Sequence, residues 1–267
     1  MSLKSALIAA SVLLLLVPSQ VLAQDPPTKL ALSYDGLIYF IKVLDLKFQQ
    51  RIGDGGFGAG AQLRSYGVLA AFKHFDIKAS ADGRVDGQGP QPGAFDYINH
   101  DGKRVRHVVV DWRPGAVAMT STPTFSDLGD PPASLEQREA SADPLTQLMR
   151  LTVGAPIKPC EGAPLFFDGK QLYELAFAGA HADAPTDDQR ALGMTSIARC
   201  TMRYNEIAGF KKKAPTKRNN GLTHPITVAF GQIGAGGPWV IAEVRADTPL
   251  GPATIVLRQA HISHGES

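Results

Sequence analysis

The sequence predicts a mainly β fold with one principal helix, and three observations carry that expectation. Glycine (27 residues) and proline (19) are frequent and fall between short apolar stretches, so turns are closely spaced. Within those stretches apolar and polar residues alternate with period two, the signature of half-buried strands. Only one segment, opened by Asp143-Pro144, has apolar residues at helical spacing behind a helix-start signal.

Taken in order, Leu30, Leu32 and Tyr34 alternate, as do Tyr39, Ile41 and Val43. Leu44, Leu46 and Phe48 then follow on the other parity, which predicts a bulge or a strand buried on both faces. Residues 52–60 carry five glycines and are expected to form a mobile hairpin loop; the Lys-Ser/Thr of a nucleotide loop is missing. Phe75, Ile77 and Ala79 mark a half-buried strand ending at Asp82-Gly83. In the strand 103–112, Val108, Val110 and Trp112 share a face with Arg104 and Arg106, and Arg113-Pro114-Gly115 turns it into a hairpin partner. Residues 121–142, with Pro123, Pro131 and Pro132, read as a long surface connection.

The helix is expected over 143–153. Asp143 can accept the free N–H groups of the first turn, and Pro144 suits a position that needs no N–H. Leu145, Leu148, Met149 and Thr152 form its stripe, and Gly154 with Pro156 ends it. One short helix with one apolar stripe is suited to covering a sheet face or plugging an open barrel. Strands at 165–167, 172–177 and 197–204 follow, then a hairpin of 239–245 with 253–262. No repeat or linker divides the chain, so residues 24–267 are expected to form a single domain.

Residues 1–23 have the pattern of a secretory signal peptide: Lys4, an apolar core from Leu7 to Val17, and Val21-Leu22-Ala23 for cleavage after Ala23. The core is too short to span a bilayer, and no later run is long enough. The protein is therefore expected in the periplasm, with no transmembrane segment. In that oxidising compartment the only two cysteines, Cys160 and Cys200, should form a structural disulfide. Cys-x-x-Cys redox chemistry is absent.

Charge narrows the function classes. With 27 basic against 25 acidic residues, the chain lacks the basic footprint of nucleic-acid binding. Lys211, Lys212, Lys213, Lys217 and Arg218 form the one cluster, read either as a solvated loop or as a dock for anionic lipid headgroups. The seven histidines are scattered; only His261 and His264 are close, so no metal site is expected. No nucleophile elbow or zinc-protease motif occurs. Neither Asp127 and Asp130 nor Asp183, Asp187 and Asp188 has a paired-acid setting, so no catalytic residue and no cofactor is assigned. Trp112, Trp239, Phe166, Phe167, Phe177 and Phe230 lie in or beside strands; if the sheet curves, some of them are expected to line a concave apolar cavity.

A wider pattern joins these elements. Tyr34, the strand 75–81 running into Asp82-Gly83-Arg84-Val85, Pro92 and Phe95, and Arg104, Arg106 and Trp112 come first. Asp143-Pro144-Leu145, Cys160, Phe167-Asp168-Gly169-Lys170, Tyr173, Leu175 and Cys200 follow. In this the chain resembles the DUF3108 family of exported bacterial proteins of unknown function. That resemblance implies a curved antiparallel sheet, a β-spiral or half-barrel with a helix in its opening. The outline is similar to periplasmic lipoprotein-carrier folds and to exported envelope-integrity proteins. The family has no established activity to carry over; with the apolar strand faces and the export signal, the function expected is a non-enzymatic periplasmic one in cell-envelope integrity, with a lipophilic group or a partner polypeptide bound in the concave face. A purely structural scaffold is the alternative, and an envelope hydrolase or carbohydrate-processing enzyme stands third.

Overall fold

The computed structural model describes residues 29–53, 55–153, 158–211 and 226–263. The leader 1–23, residues 212–218 of the basic cluster, the helix-ending Gly154 and Pro156, and His264 lie outside the described residues.

The chain leaves the middle of one sheet, meanders to one edge, crosses to the other, and meanders back. The outward strands are β1 (Lys29–Ile38), β2 (Ile41–Gly53), β3 (Gly56–Ser65), β4 (Phe75–Asp86), β5 (Gly89–Asp101), β6 (Arg104–Arg113) and β7 (Ala116–Thr122), with helix α1 (Gly67–Phe72) between β3 and β4. The crossing contains α2 (Leu135–Glu139) and α3 (Pro144–Thr152). The return strands are β8 (Leu165–Phe167), β9 (Leu172–Asp183), β10 (Met194–Ala208), β11 (Ile226–Ile233), β12 (Trp239–Thr248) and β13 (Gly251–Ser263), with α4 (Asp187–Ala191) between β9 and β10. All are antiparallel, and β1 pairs with β13, so the order runs β7 to β1 and then β13 to β8.

This single sheet is strongly curved. The nine-residue α3 touches β3, β4, β5, β12 and β8. At the usual strand spacing, β5 and β8 would lie roughly 50 Å apart in a flat sheet, and α3 is only about 14 Å long. Both can meet the helix only because the sheet wraps around it. The wrap does not close, because β7 and β8 do not pair with each other.

The short segment 138–142 spans the gap instead. At one side the Arg138 guanidinium donates to the Val117 carbonyl of β7 at 2.8 Å. At the other, Ala142 and Phe166 form a parallel bridge to β8. The β8–β9 turn tucks under β6 and β7. A Cβ on Gly169 would lie 2.5 Å from Val108 Cγ1, and Trp112 meets Phe167 edge-to-face at 6.4 Å. The predicted surface connection 121–142 thus ends buried, at Ser141 and Ala142.

Two local expectations change. The described part of 52–60 is a tight hairpin and not a long mobile loop: β2 runs through Gly53 and pairs there with Gly56 of β3, and Gly58 and Gly60 lie within β3. Without side chains of their own they make room for Arg51 and Gln49, whose atoms lie 3.1 and 3.4 Å from where a Cβ would stand. Asp82-Gly83 does not end its strand; β4 runs on to Asp86 through a register shift at that pair. A Cβ on Gly83 would stand 2.0 Å from the Gln91 carbonyl oxygen, so only glycine fits the close approach. The parity change at 43–44 is a bulge as read: Gly36 faces Leu44 and Leu37 faces Lys42, leaving Val43 extra.

Cys160 and Cys200 are bonded, with Cα atoms 5.7 Å apart. The bond ties the segment after α3 to β10 and sits among Leu151, Ile226, Val228 and Phe230. Two outcomes are expected. Non-reducing mass spectrometry should show a two-dalton deficit relative to the reduced chain. The double change Cys160→Ser/Cys200→Ser should lower unfolding free energy by about 4 kcal/mol, from loop-closure entropy over the 40-residue separation; denaturant unfolding measures it.

Candidate functional site

The concave face is where the fold concentrates its buried chemistry, and α3 fills it. Leu145 and Met149 pack into the main core with Leu32, Phe48, Val108 and Leu172, and Leu151 packs into the core around the disulfide.

The helix begins as the sequence requires. Asp143 accepts from the Leu145 and Thr146 amides at 2.9 and 2.8 Å and also from the Thr146 hydroxyl. Burial pushes its carboxyl above the usual carboxylate range, against the opposing pull of those hydrogen bonds. Three polar ties then pin the helix to distant strands. The Gln147 amide donates to the Leu165 carbonyl at 2.6 Å, and Arg150 Nε donates to the Pro90 carbonyl at 2.9 Å. The Thr152 hydroxyl donates to Gln50 Oε1 at 2.8 Å.

Beside the helix lies an apolar cavity of ≈ 120 Å³, bounded by α3 (Leu148, Leu151), β1 and β2 (Leu32, Phe48), and β12 and β13 (Val244, Ile255). Tyr34 and Thr152 bring hydroxyl groups to its wall. Burial raises the Tyr34 phenol well above its ordinary value, so it stays neutral. Thr152 leads from this cavity to the buried Gln50, which accepts from its hydroxyl and whose Nε2 has no hydrogen-bond partner among the described residues. The larger recess, ≈ 710 Å³, is a trough on the outer face of β13, β1, β2, β3 and β4, floored by Ala31, Gly58 and Gly60. Its lining also includes the polar side chains of Gln49, Arg51, Asp82 and His261. The small cavity beside α3, lined almost wholly by apolar side chains, is the better candidate for recognition.

The aromatic residues expected at such a cavity lie elsewhere. Phe166 stacks on Tyr173 at 5.2 Å, and Phe177 meets Phe230 at 5.7 Å beside the disulfide core. Trp112 and Phe167 meet between β6 and β8, and Trp239 packs against the disulfide core. None of the six lines the cavity. Leu32, Tyr34, Phe48 and Ile255 line it instead, because the inward parity of β1, β2 and β13 places them there. Leu30, Leu32 and Tyr34 carried that signal in the sequence, but nothing there said which strands would face the helix.

Three of the carboxylates considered for catalysis, Asp127, Asp183 and Asp187, are engaged in ion pairs with Lys170, Arg199 and Arg190. Asp127 accepts from the Gly129 amide at 2.9 Å and lies 3.4 Å from Lys170 Nζ. Asp183 pairs with Arg199 at 2.8 Å, and Asp187 with Arg190. Asp168, raised by burial, closes its turn by accepting from the Lys170 and Gln171 amides at 2.9 and 2.7 Å. His107 bonds Asp96 at 2.8 Å, and the described residues contain no cluster of three metal-ligating side chains. No helix among them is long and apolar enough to cross a membrane.

This arrangement, a helix held in the curve of an unclosed antiparallel sheet, places the chain among β-barrel-like proteins. No family model matches it, and no curated protein does. A solved structure is similar in fold: a beta-barrel-like protein of domain of unknown function DUF1849 from Brucella abortus. The TM-score is 0.51 at 10% identity, over 90% of this chain and 100% of that one.

Asp143 offers a direct test of the helix cap. Asp143→Ala should cost about 1–2 kcal/mol of stability, whereas Asp143→Asn keeps an acceptor and should cost less. The native carboxyl binds its proton more tightly than the unfolded one, so its contribution to stability is fully present below the unfolded value. It is lost as pH rises through the higher folded value. Denaturant unfolding of the Asn variant across that range should show a shallower decline than the parent.

Proposed function

We propose that the protein is a non-enzymatic periplasmic component that supports cell-envelope integrity. Its concave face would bind a lipophilic group or a segment of an envelope protein. The hydrocarbon-lined cavity under α3 is the observation that carries this reading. An apolar recess beside a separately pinned helix suits a guest with no charge to neutralise. The disulfide supports an oxidising compartment, and the leader pattern of 1–23 supports export. The DUF3108 resemblance and the DUF1849 fold neighbour add architecture but no activity, since fold alone does not carry function.

At ≈ 120 Å³ the cavity is smaller than the roughly 300 Å³ at which ligand pockets begin. An acyl chain would therefore enter only as α3 shifts, giving up its ties to Leu165, Pro90 and Gln50. The helix is in this reading a lid. The same small volume favours a second reading, a structural scaffold whose interior is filled for stability alone.

Delipidated protein offered an environment-sensitive acyl probe is expected to bind it saturably, and Leu148→Trp, which fills the cavity, to weaken binding about tenfold. No uptake of the probe, together with no envelope protein recovered in a pull-down, would overturn the reading. A deletion strain as resistant as its parent to detergent and cell-wall stress would count against both the carrier and the scaffold.

A further inference from the structure

The two ends of the sheet are built from different residues. Four neighbouring links lie along one end: the β12–β13 turn (Pro249, Leu250), the β1–β2 turn (Tyr39, Phe40), the β3–β4 connection (66–74, with α1) and the β5–β6 turn (Gly102, Lys103). Turns ordinarily select Gly, Asn, Asp, Ser and Pro. Here they present Leu250 at 68% exposure and Phe40 and Phe72 at 87% each, with Tyr39, Tyr66 and Val68 also exposed. At the opposite end the described links are of the usual kind: Gly87-Gln88, Pro114-Gly115, residues 184–193 and residues 234–238, with no aromatic residue in any.

Nothing in the fold explains the apolar end. Helix α1, Gly-Val-Leu-Ala-Ala-Phe, buries none of its residues. Tyr39 holds the β1–β2 turn at φ 55°, a conformation that asparagine or glycine would adopt at less cost. The four tips are continuous with one another. The Tyr39 ring lies against Gly251, Lys42 Nζ sits 4.6 Å from the centre of the Tyr66 ring, and the Gly102 amide donates to the His74 carbonyl at 3.0 Å. With two strands between neighbouring tips, the row extends over about 30 Å. Lys73 and Lys103 are the charged residues in these links; Lys73 pairs with Asp101, at the end of β5, at 2.8 Å, and both members of that pair stay partly exposed.

We propose that this end of the sheet docks on the interfacial layer of an anionic phospholipid bilayer, with Phe40, Phe72 and Leu250 entering it and Lys73 and Lys103 meeting its headgroups. Chemistry and shape point to lipid over a protein partner. The apolar groups stand on projecting points and line no groove, and a fluid bilayer receives separate points without matching pits. Tyr39 and Tyr66 stand beside them with hydroxyl-bearing rings, a residue type that gathers at membrane interfaces. Docking here does not require the interior cavity to take a guest, so either idea can fail without the other.

The test uses the full chain and vesicles of phosphatidylethanolamine with phosphatidylglycerol. Co-sedimentation of the parent is expected, and Phe40→Ser/Phe72→Ser/Leu250→Ser should lower the partition coefficient at least about tenfold. These side chains are exposed, and an unchanged circular-dichroism melt confirms that the variant folds. Phe40→Trp should shift its emission to shorter wavelength on vesicles and be quenched by brominated lipid, while Gln88→Trp at the other end should do neither. Three results would overturn the proposal: a parent that stays in the supernatant, a triple variant that binds like its parent, or a triple variant whose only change is lost self-association in sedimentation velocity.

Discussion

The burial of α3 within the curve of the sheet is the constraint on which the other features depend. Thirteen antiparallel strands that do not close leave a concave apolar face and two unpaired edges. Either would be a liability in water. The helix covers the face, and the short segment leading into it, 138–142, joins the edges by bonding to β7 and bridging to β8. Asp143 stands where both tasks meet. It ends the bridging segment and starts the helix, and it is wholly buried because the sheet closes around that point.

The same geometry separates two kinds of surface. The interior is apolar, enclosed and held by side-chain ties from α3 to three separated strands. The end carrying Phe40, Phe72 and Leu250 is apolar and projecting, and those three side chains stay exposed. Interior apolar residues need no function beyond the core. Exposed ones at turn tips, where small polar residues would serve the fold better, call for a partner. The proposed envelope role would use both, an interior that holds its shape or opens for a guest and an end that docks on a bilayer.

Much of this was legible from residue order alone. Asp143-Pro144 announced the helix start because the cap is local chemistry: a carboxylate next to free amides. The parity switch at 43–44 announced a bulge because side-chain period in a strand is strictly two. Glycine misled where its reason was remote. Gly58 and Gly60 looked like a loop, yet they are small so that neighbouring strands' long side chains have room. Gly83 looked like a turn, yet it is small because the Gln91 carbonyl comes too close for a Cβ. The aromatic residues misled for a similar reason, since size predicts burial without saying beside what.

Strand periodicity, helix capping and the pairing of the two cysteines were determined by the sequence itself, because each is decided within a few residues or by the solvent and compartment around them. The curvature of the sheet, the pairing of β1 with β13 and the choice of residues around the cavity were decided only in three dimensions. Each depends on contacts between segments far apart in the chain. So does the meaning of the exposed tips: Tyr39, Phe72 and Leu250 are far apart in sequence, and only hairpins folded side by side turn them into one edge.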